Sequence, residues 1–564
     1  MAQLKARDAD LDYDVAVVGS GFGGSVAALR LSQKGYRVVV IEAGRRWQRD
    51  DFPKTNWNLP KMFWVPALGW LGLQRMTLLP DALVLAGAGV GGGSLVYGNT
   101  LFEPNDDFFA LPSVQTVGGA QGLKPYYALA RKMMGVVTNP YLTPMDAHVR
   151  ETAAEMGRGD TFTPSPIAVY CGAPGAQPVD PYFLGEGPAR SGCVQCGGCF
   201  LGCRHGAKNT LDQNYLYFAE KLGCEIVSER IVETIQPVDA EGAEGYVVDI
   251  AATTGFRRRR RRLRVGGVVV AAGVMGSVRL LLDAKRRGHL PQLSPQLGGG
   301  VRTNSESIIA VRSRQRDVDF SRGVAASSSV FLDDHTQVQA DRMPAGADQT
   351  AFLATLMVDG GGRLPRWLRW MGVALKSPLD LLRTLWPFGF AKQSVLLVVM
   401  QTLEGALKVE QRRRWLPPFG WRLTSRPEKE APTTYIPQGH DFARRLAQRI
   451  DGVPQSSVNE VLLNRPATAH IMGGCLIGED ATSGVIDADQ RVYGYRNLWV
   501  CDGSVIPANL GVNPALSILA FSERAMAAVP PKAGADAALK FLAVDRHWDT
   551  TDLLCREPSQ NSQV

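Results

Sequence analysis

The chain has 564 residues, 45% of them hydrophobic and 21% charged, with a formal net charge of +8. That length suits a doubly wound domain with a second, substrate-binding domain, and the balance is that of an ordinary globular enzyme. The charge does not indicate a nucleic-acid partner: six arginines form one run, Arg257–Arg262, and setting it aside leaves about +2. Nor are aromatic residues interleaved with that run, as binding to single-stranded nucleic acid requires.

In chain order, the polar Met1–Leu11 leads straight into a first strand and has no secretory leader. No apolar stretch reaches the roughly 18–20 residues needed to cross a bilayer. Nine cysteines, an odd count, argue for reduced thiols or metal ligands over a disulfide framework. The expectation is a cytoplasmic protein. Val15–Val18 is a valine-rich strand followed by Gly19-x-Gly21-x-x-Gly24, and Ser25–Ser32 then continues as a helix. Val38–Ile41 is the next strand and delivers Glu42 about 20 residues after the glycines, the spacing of a ribose-binding carboxylate. This set predicts dinucleotide binding and leaves NAD and FAD open. Asn56–Leu79, with Trp57, Trp64 and Trp70, is an apolar stretch, and a second glycine run follows at Gly87–Asn99.

Cys193, Cys196, Cys199 and Cys203 are spaced C-x2-C-x2-C-x3-C, the pattern of bacterial ferredoxin loops, and could wrap a [4Fe–4S] cluster. Arg204 replaces the usual proline after the last cysteine, and no second cysteine run is present. Zinc and a metal-free packing loop remain alternatives. Cys171, Cys224, Cys475, Cys501 and Cys555 read as free thiols. The arginine run lies between Tyr246–Thr253 and the strand Val265–Val270, where it tops a surface hairpin; anionic lipid is an alternative partner for it. In Arg363–Lys392, Trp367, Trp370, Met371, Leu375, Leu381, Leu382 and Trp386 alternate with Arg366, Arg369, Lys376 and Arg383. That pattern suits either a helix lying in a membrane surface or a buried lid, and both imply a hydrophobic substrate. Val395–Met400 reads as a buried strand. Near the end, His470–Cys475 (H-I-M-G-G-C) precedes a strand, Asn497–Asp502, and a helix that starts at Pro514 just after Asn513. Lys532–Val564 is a polar tail.

These motifs, in this order, resemble the glucose–methanol–choline (GMC) oxidoreductase family, and within it the cholesterol oxidase branch. The resemblance implies FAD as the cofactor. It makes Gly87–Asn99 the flavin-contacting loop, with Gly91, Gly92, Ser94 and Asn99 against the cofactor and Tyr97 or Asn99 near flavin N5. It makes Val268–Leu281 the strand and turn that close on the adenosine half, Val232 a backbone contact to adenine, and Asp502-Gly503 a pyrophosphate and ribityl contact. The fold it implies is α/β, a doubly wound FAD domain from 12–105, 205–310 and 460–530. Interwoven with it is an α+β substrate domain on an antiparallel sheet, from 106–204 and 311–459, which carries the cysteine loop 193–203 and the apolar lid 363–392.

The implied reaction is oxidation of a secondary sterol hydroxyl, with hydride passing to the flavin and O₂ or an electron carrier as the final acceptor. His470 in H-x-x-G-G-C and Asn513 in G-V-N-P match the family's catalytic pair: an imidazole can take the hydroxyl proton and an amide can hold the oxygen. Members that also shift the steroid double bond use a glutamate where this chain has Gln339. An amide cannot take a proton from carbon, so isomerase activity is placed in doubt. Asp341, two residues on along one strand face, and Glu306, near the flavin motifs, are carboxylates that could substitute for that glutamate, though both read as structural. The alternatives are a long-chain or other lipid alcohol oxidase or dehydrogenase of the same family, and a flavo-iron–sulfur electron carrier without alcohol turnover.

Overall fold

The computed structural model describes residues 11–255, 258–415 and 420–535. Arg257, Cys555 and all of the polar tail beyond 535 lie outside the described residues.

Two seven-stranded sheets organise the chain. In the first, the strand Tyr13–Val18 pairs in parallel with Val38–Ile41 on one side and with the C-terminal half of Arg260–Val270 on the other. Glu225–Val227 extends the parallel edge beyond Val38–Ile41. Leu498–Val500 pairs in parallel with Val268–Val270. The inner strands are Val-rich and buried almost completely, as expected where helices cover a parallel sheet, while the edge strand Glu225–Val227 is partly exposed. The N-terminal half of Arg260–Val270 turns instead to an antiparallel arm, Tyr246–Ala252 and Arg230–Pro237. Arg260–Arg262 of the run therefore begin a strand, and three of its described arginines are paired: Arg258 and Arg260 with Glu233 at 3.9 and 2.9 Å, and Arg262 with Asp249 at 2.8 Å.

The helix Phe22–Gln33 packs on the last described helix, Ala515–Ala527, which packs in turn on Gly119–Met133. A buried bidentate pair, Arg30 to Glu523 at 2.6 and 2.9 Å, ties the two ends of the fold together across nearly 500 residues. The second sheet is antiparallel throughout, in the order Ala354–Leu356, Gly452–Ser457, Ser307–Ser313, Ser394–Gln401, Thr336–Asp341, Ala326–Phe331, Thr163–Pro164. Helices Pro144–Glu155 and Pro437–Arg449 cover it and form a separate core with Val311, Val338, Val399 and Phe442. A third, small sheet bears on the site: Ala467–Thr468 pairs in parallel with Leu83–Val84. It thereby sets the approach to His470 beside the strand that leads into the second glycine run.

Candidate active site

At the carboxyl end of Tyr13–Val18 the chain turns through Gly19–Gly24 into the first helix. A Cβ at Gly24 would stand 2.1 Å from the Gly19 carbonyl oxygen, so only glycine allows the turn to close onto the helix. A Cβ at Gly21 would meet nothing within 4 Å, so the mouth of the loop faces open space at a helix N-terminus, the setting for a pyrophosphate. Glu42 is buried and accepts from Ser20 N at 3.1 Å, Ser20 Oγ at 2.7 Å and Gly44 N at 2.8 Å. Ser20 Oγ accepts in turn from Gly91 N at 3.1 Å, which joins the two glycine runs. Ser94 Oγ donates to the Gly91 carbonyl at 2.6 Å and accepts from Leu211 N at 3.0 Å, and Gly92 sits against Gly21. Val232 is buried at a bulge in its strand, two residues after Arg230, whose N–H donates to the Glu42 carbonyl. Asp502 caps the short helix Gly503–Val505: its carboxylate accepts from Ser504 N and Oγ, and from Ser277 Oγ in the first turn of the helix Val274–Arg286. Burial pushes its carboxyl above the ordinary range and those donors pull it back.

Several buried polar atoms here have no protein partner. Asn99 is fully buried at φ +74°, and neither its amide oxygen nor its nitrogen is bonded; Asp212 Oδ1 and Asn513 Oδ1 are likewise unpartnered. Leaving such a group unmade costs about 1–3 kcal/mol, so these atoms mark where a polar ligand completes the structure. Together with the open space at Gly21 they fit a dinucleotide carrying a flavin.

His470 and Asn513 meet. Asn513 Nδ2 lies 3.2 Å from His470 Nε2. The other ring nitrogen, Nδ1, lies 3.1 Å from Glu306 Oε2, which also accepts from Thr468 Oγ1 at 2.9 Å and Ala469 N at 3.1 Å. Burial alone would lower the basicity of this imidazole; the facing Glu306 carboxylate overrides that, with help from Asp341, and its pKa is raised. Glu306 was expected to be structural, and the structure puts it against the ring.

The same short segment holds the other partner. Asn304 Oδ1 accepts from Leu510 N and Gly511 N at 2.9 and 3.0 Å, and its Nδ2 donates to the Val512 carbonyl at 3.0 Å. Asn304 and Ser305 both have left-handed backbones, φ +59° and +41°, so two residues turn the chain from clamping the Asn513 loop to clamping His470. Sequence reading passed over Asn304, because a pair of left-handed non-glycine residues has no signature beyond Asn itself. On the strand Thr336–Asp341, Gln339 Nε2 donates to Asp341 Oδ1 at 2.9 Å, and its own Oε1 is unpartnered. Burial raises the Asp341 carboxyl to about 7.

The four cysteines of residues 193–203 are free thiols. Among the described residues, no group of three or more His, Cys, Asp or Glu side chains is placed to hold a metal ion, which supports neither the iron–sulfur nor the zinc reading of this loop. The loop is tied to the second glycine run by Lys208, whose buried ammonium donates to the carbonyls of Leu95 and Tyr97 at 3.0 Å each and of Cys199 at 2.8 Å. The Tyr97 hydroxyl donates to the Asn209 carbonyl at 2.7 Å, whereas both amide atoms of Asn99 in the same loop have no protein partner.

A dinucleotide cradle at a switch between parallel strands, facing an imidazole–amide pair, defines a flavoprotein alcohol oxidoreductase. Residues 428–522 match the model of the GMC oxidoreductase family, and residues 17–47 that of NAD(P)-binding Rossmann-like domains. The chain is 41% identical to a cholesterol oxidase of Acinetobacter baumannii, over 92% of its length and 95% of the relative's. It is 44% identical to a cholesterol oxidase of Mycobacterium tuberculosis, over 93% and 92% of the two chains. A solved pyridoxine 4-oxidase shares the fold at a TM-score of 0.57 and 14% identity, over 91% of this chain and 98% of that one. The chain belongs to the GMC oxidoreductases, alongside the cholesterol oxidases, and its cofactor is FAD.

Proposed function

We propose that the protein oxidises the secondary 3-hydroxyl of a sterol to a ketone, with His470 as the base. Bound FAD supplies the hydride acceptor. The observation that carries the reading is the line Glu306–His470–Asn513. The Glu306 carboxylate fixes a proton on Nδ1, which leaves Nε2 as the acceptor, met in the resting site by Asn513 Nδ2 at 3.2 Å. Asn513 stands beside that nitrogen with an unpartnered amide oxygen. A hydroxyl entering there gives its proton to Nε2 while the Asn513 amide holds its oxygen, and the carbinol C–H is left to face the cofactor. Gly19, Gly21, Gly24 and Glu42 hold the adenosine and pyrophosphate side, with Val232. Gly91, Gly92, Ser94, Asn99, Asp502 and Gly503 hold the rest. The test is anaerobic: a sterol should bleach the flavin absorbance of the wild type, and His470→Ala should bind FAD yet bleach roughly 10²–10⁴-fold more slowly. Equal bleaching rates would remove His470 from the mechanism.

A sterol has to leave a lipid phase to reach this site, and one surface suits that. Helices Arg366–Lys376 and Pro378–Leu385 expose Trp367, Met371, Leu375, Leu379, Leu382 and Trp386. Trp57 stacks on the exposed Phe388 at 6.2 Å and extends the face. We read it as a surface docking against a bilayer, with Arg369 and Lys376 at its rim. Arg366, by contrast, is buried and bonded to the Val358 and Thr434 carbonyls, so it anchors the hairpin and does not face lipid. No helix among the described residues is long and apolar enough to cross a membrane.

A further inference from the structure

The strands Leu407–Arg414 and Gly420–Pro427 form a two-stranded ribbon of their own, and three of its arginines serve neither the fold nor the site. We propose that this ribbon binds the phosphate groups of anionic lipids and gives the protein its preference for a negatively charged bilayer. The inference rests on the bilayer reading of the helices at 366–385 and adds an electrostatic contact to it.

Arg412 and Arg422 stand directly opposite each other across the ribbon, and Arg414 follows Arg412 two residues on, so all three side chains share one face. Among the described residues none of them has an ion-pair partner, and Glu410, a carboxylate of the same face, is taken by Arg426 at 3.0 Å. Like charges set opposite each other weaken a sheet, and an anion held between them removes that cost. The guanidinium fork fits a phosphate through two parallel N–H bonds. The other face is fixed to the body of the protein. There Leu423 packs on the main core, and Arg286 donates to Gln411 at 3.0 Å and covers the Trp421 ring at 4.8 Å. The arginine face is therefore turned outward. Trp415 and Trp421, 73% and 45% exposed, add the amphipathic rings that settle at a lipid–water boundary.

A chain of contacts leads from this ribbon to the helical face. Arg366 of that face donates to the Glu460 carbonyl in the helix Val458–Leu463, which exposes Leu463. Just beyond it the Pro466 carbonyl accepts from Leu83 N. In the turn before Leu83, Asp81 accepts from Ser425 Oγ of the ribbon at 2.6 Å, and Leu78 on the same turn is exposed. Apolar side chains thus mark the way between the two surfaces. The longer arginine run is a weaker candidate for lipid, because Arg258, Arg260 and Arg262 are already paired with Glu233 and Asp249.

The test sediments the FAD-loaded protein with vesicles of phosphatidylcholine and sterol, with or without phosphatidylserine. One basic residue at an anionic surface strengthens binding about fivefold, so three should favour the phosphatidylserine vesicles on the order of a hundredfold. Added salt should erase the difference. In Arg412→Gln/Arg414→Gln/Arg422→Gln the two vesicles should bind alike, with FAD content and turnover of detergent-dispersed sterol unchanged. If the triple variant loses FAD, the single Arg422→Gln decides, with a preference reduced about fivefold. A preference that survives in these variants, or is missing in the wild type, would overturn the proposal. So would a wild type that ignores both vesicles yet is retained by RNA through the same arginines. Failure of the helical reading is seen separately: Leu375→Glu with Leu379→Glu would then leave binding to vesicles without phosphatidylserine undiminished, whatever the arginine variants do.

Discussion

At the scale of single residues, the reactivity of His470 is set by Glu306. The base must be neutral to accept a proton, and the pKa of this imidazole is raised, so the rate should climb with pH through a value above that of free imidazole. Two carboxyls face the ring, Glu306 in contact and Asp341 farther off. In Glu306→Gln the ring becomes less basic, so the acid limb of the kcat profile should move to lower pH. At the same time kcat should fall at least about tenfold, because the Nδ1 tautomer is no longer fixed. A profile with the limb unmoved would reduce Glu306 to a packing role. Gln339 makes a second point. Its amide holds Asp341, whose carboxyl is near neutrality, and neither is the glutamate expected of an isomerising enzyme. From a Δ5-sterol the 3-ketone should leave largely unconjugated, and Gln339→Glu should raise the conjugated-enone absorbance. Predominant conjugated product from the unaltered protein would assign the proton shuttle to Asp341. His470, Asn513 and Gln339 were located through resemblance to the family's motifs; Glu306 was noted only as a carboxylate that could replace the missing glutamate, and not as the partner of His470, from which it lies 164 residues away.

At the scale of elements, short glycine-bearing turns do the positioning. In Gly21→Val a branched side chain would fill the one open face of the first loop, so the purified protein should be colourless while its circular dichroism stays native. Full FAD occupancy with intact fold would show that the pyrophosphate lies elsewhere. This turn was legible in the sequence because its glycines answer to backbone geometry, and strand, turn, helix and second strand follow one another within 30 residues. The turn at Asn304-Ser305 answers to contacts with residues 510–512 and was not. The helical hairpin at 366–385 could be read as amphipathic, yet periodicity does not say which face meets the protein. The structure leaves Leu375 and Leu379 at 82% and 76% exposure. Leu375→Glu with Leu379→Glu should release the protein from sedimenting anionic sterol-containing vesicles and leave turnover of detergent-dispersed sterol unchanged. Undiminished sedimentation would move the docking face elsewhere.

At the scale of the molecule, two sheets built from interleaved segments bring cofactor and substrate chemistry to one place. The parallel sheet presents its strand ends to the dinucleotide. The antiparallel sheet supplies Gln339 and Asp341 from one strand, while Glu306 immediately precedes another. Hydrophobic runs and glycine motifs made the parallel strands around 15–18, 38–41, 265–270 and 497–502 of the first sheet legible, but not its edges at Glu225–Val227 and Arg230–Pro237. The second has no such fingerprint, and its strand order is set by long-range pairing that sequence periodicity does not carry. The central claim is that one site binds a sterol hydroxyl and takes its proton at His470. It is tested most directly by rapid anaerobic mixing of the FAD-loaded protein with a 3β-hydroxysterol and, separately, with a long-chain primary alcohol, in wild type and His470→Ala. The account predicts fast bleaching of the flavin by the sterol, little by the flexible alcohol, and loss of the fast phase in the variant. Bleaching by the long-chain alcohol alone, or a fast sterol phase that survives in His470→Ala, would contradict it.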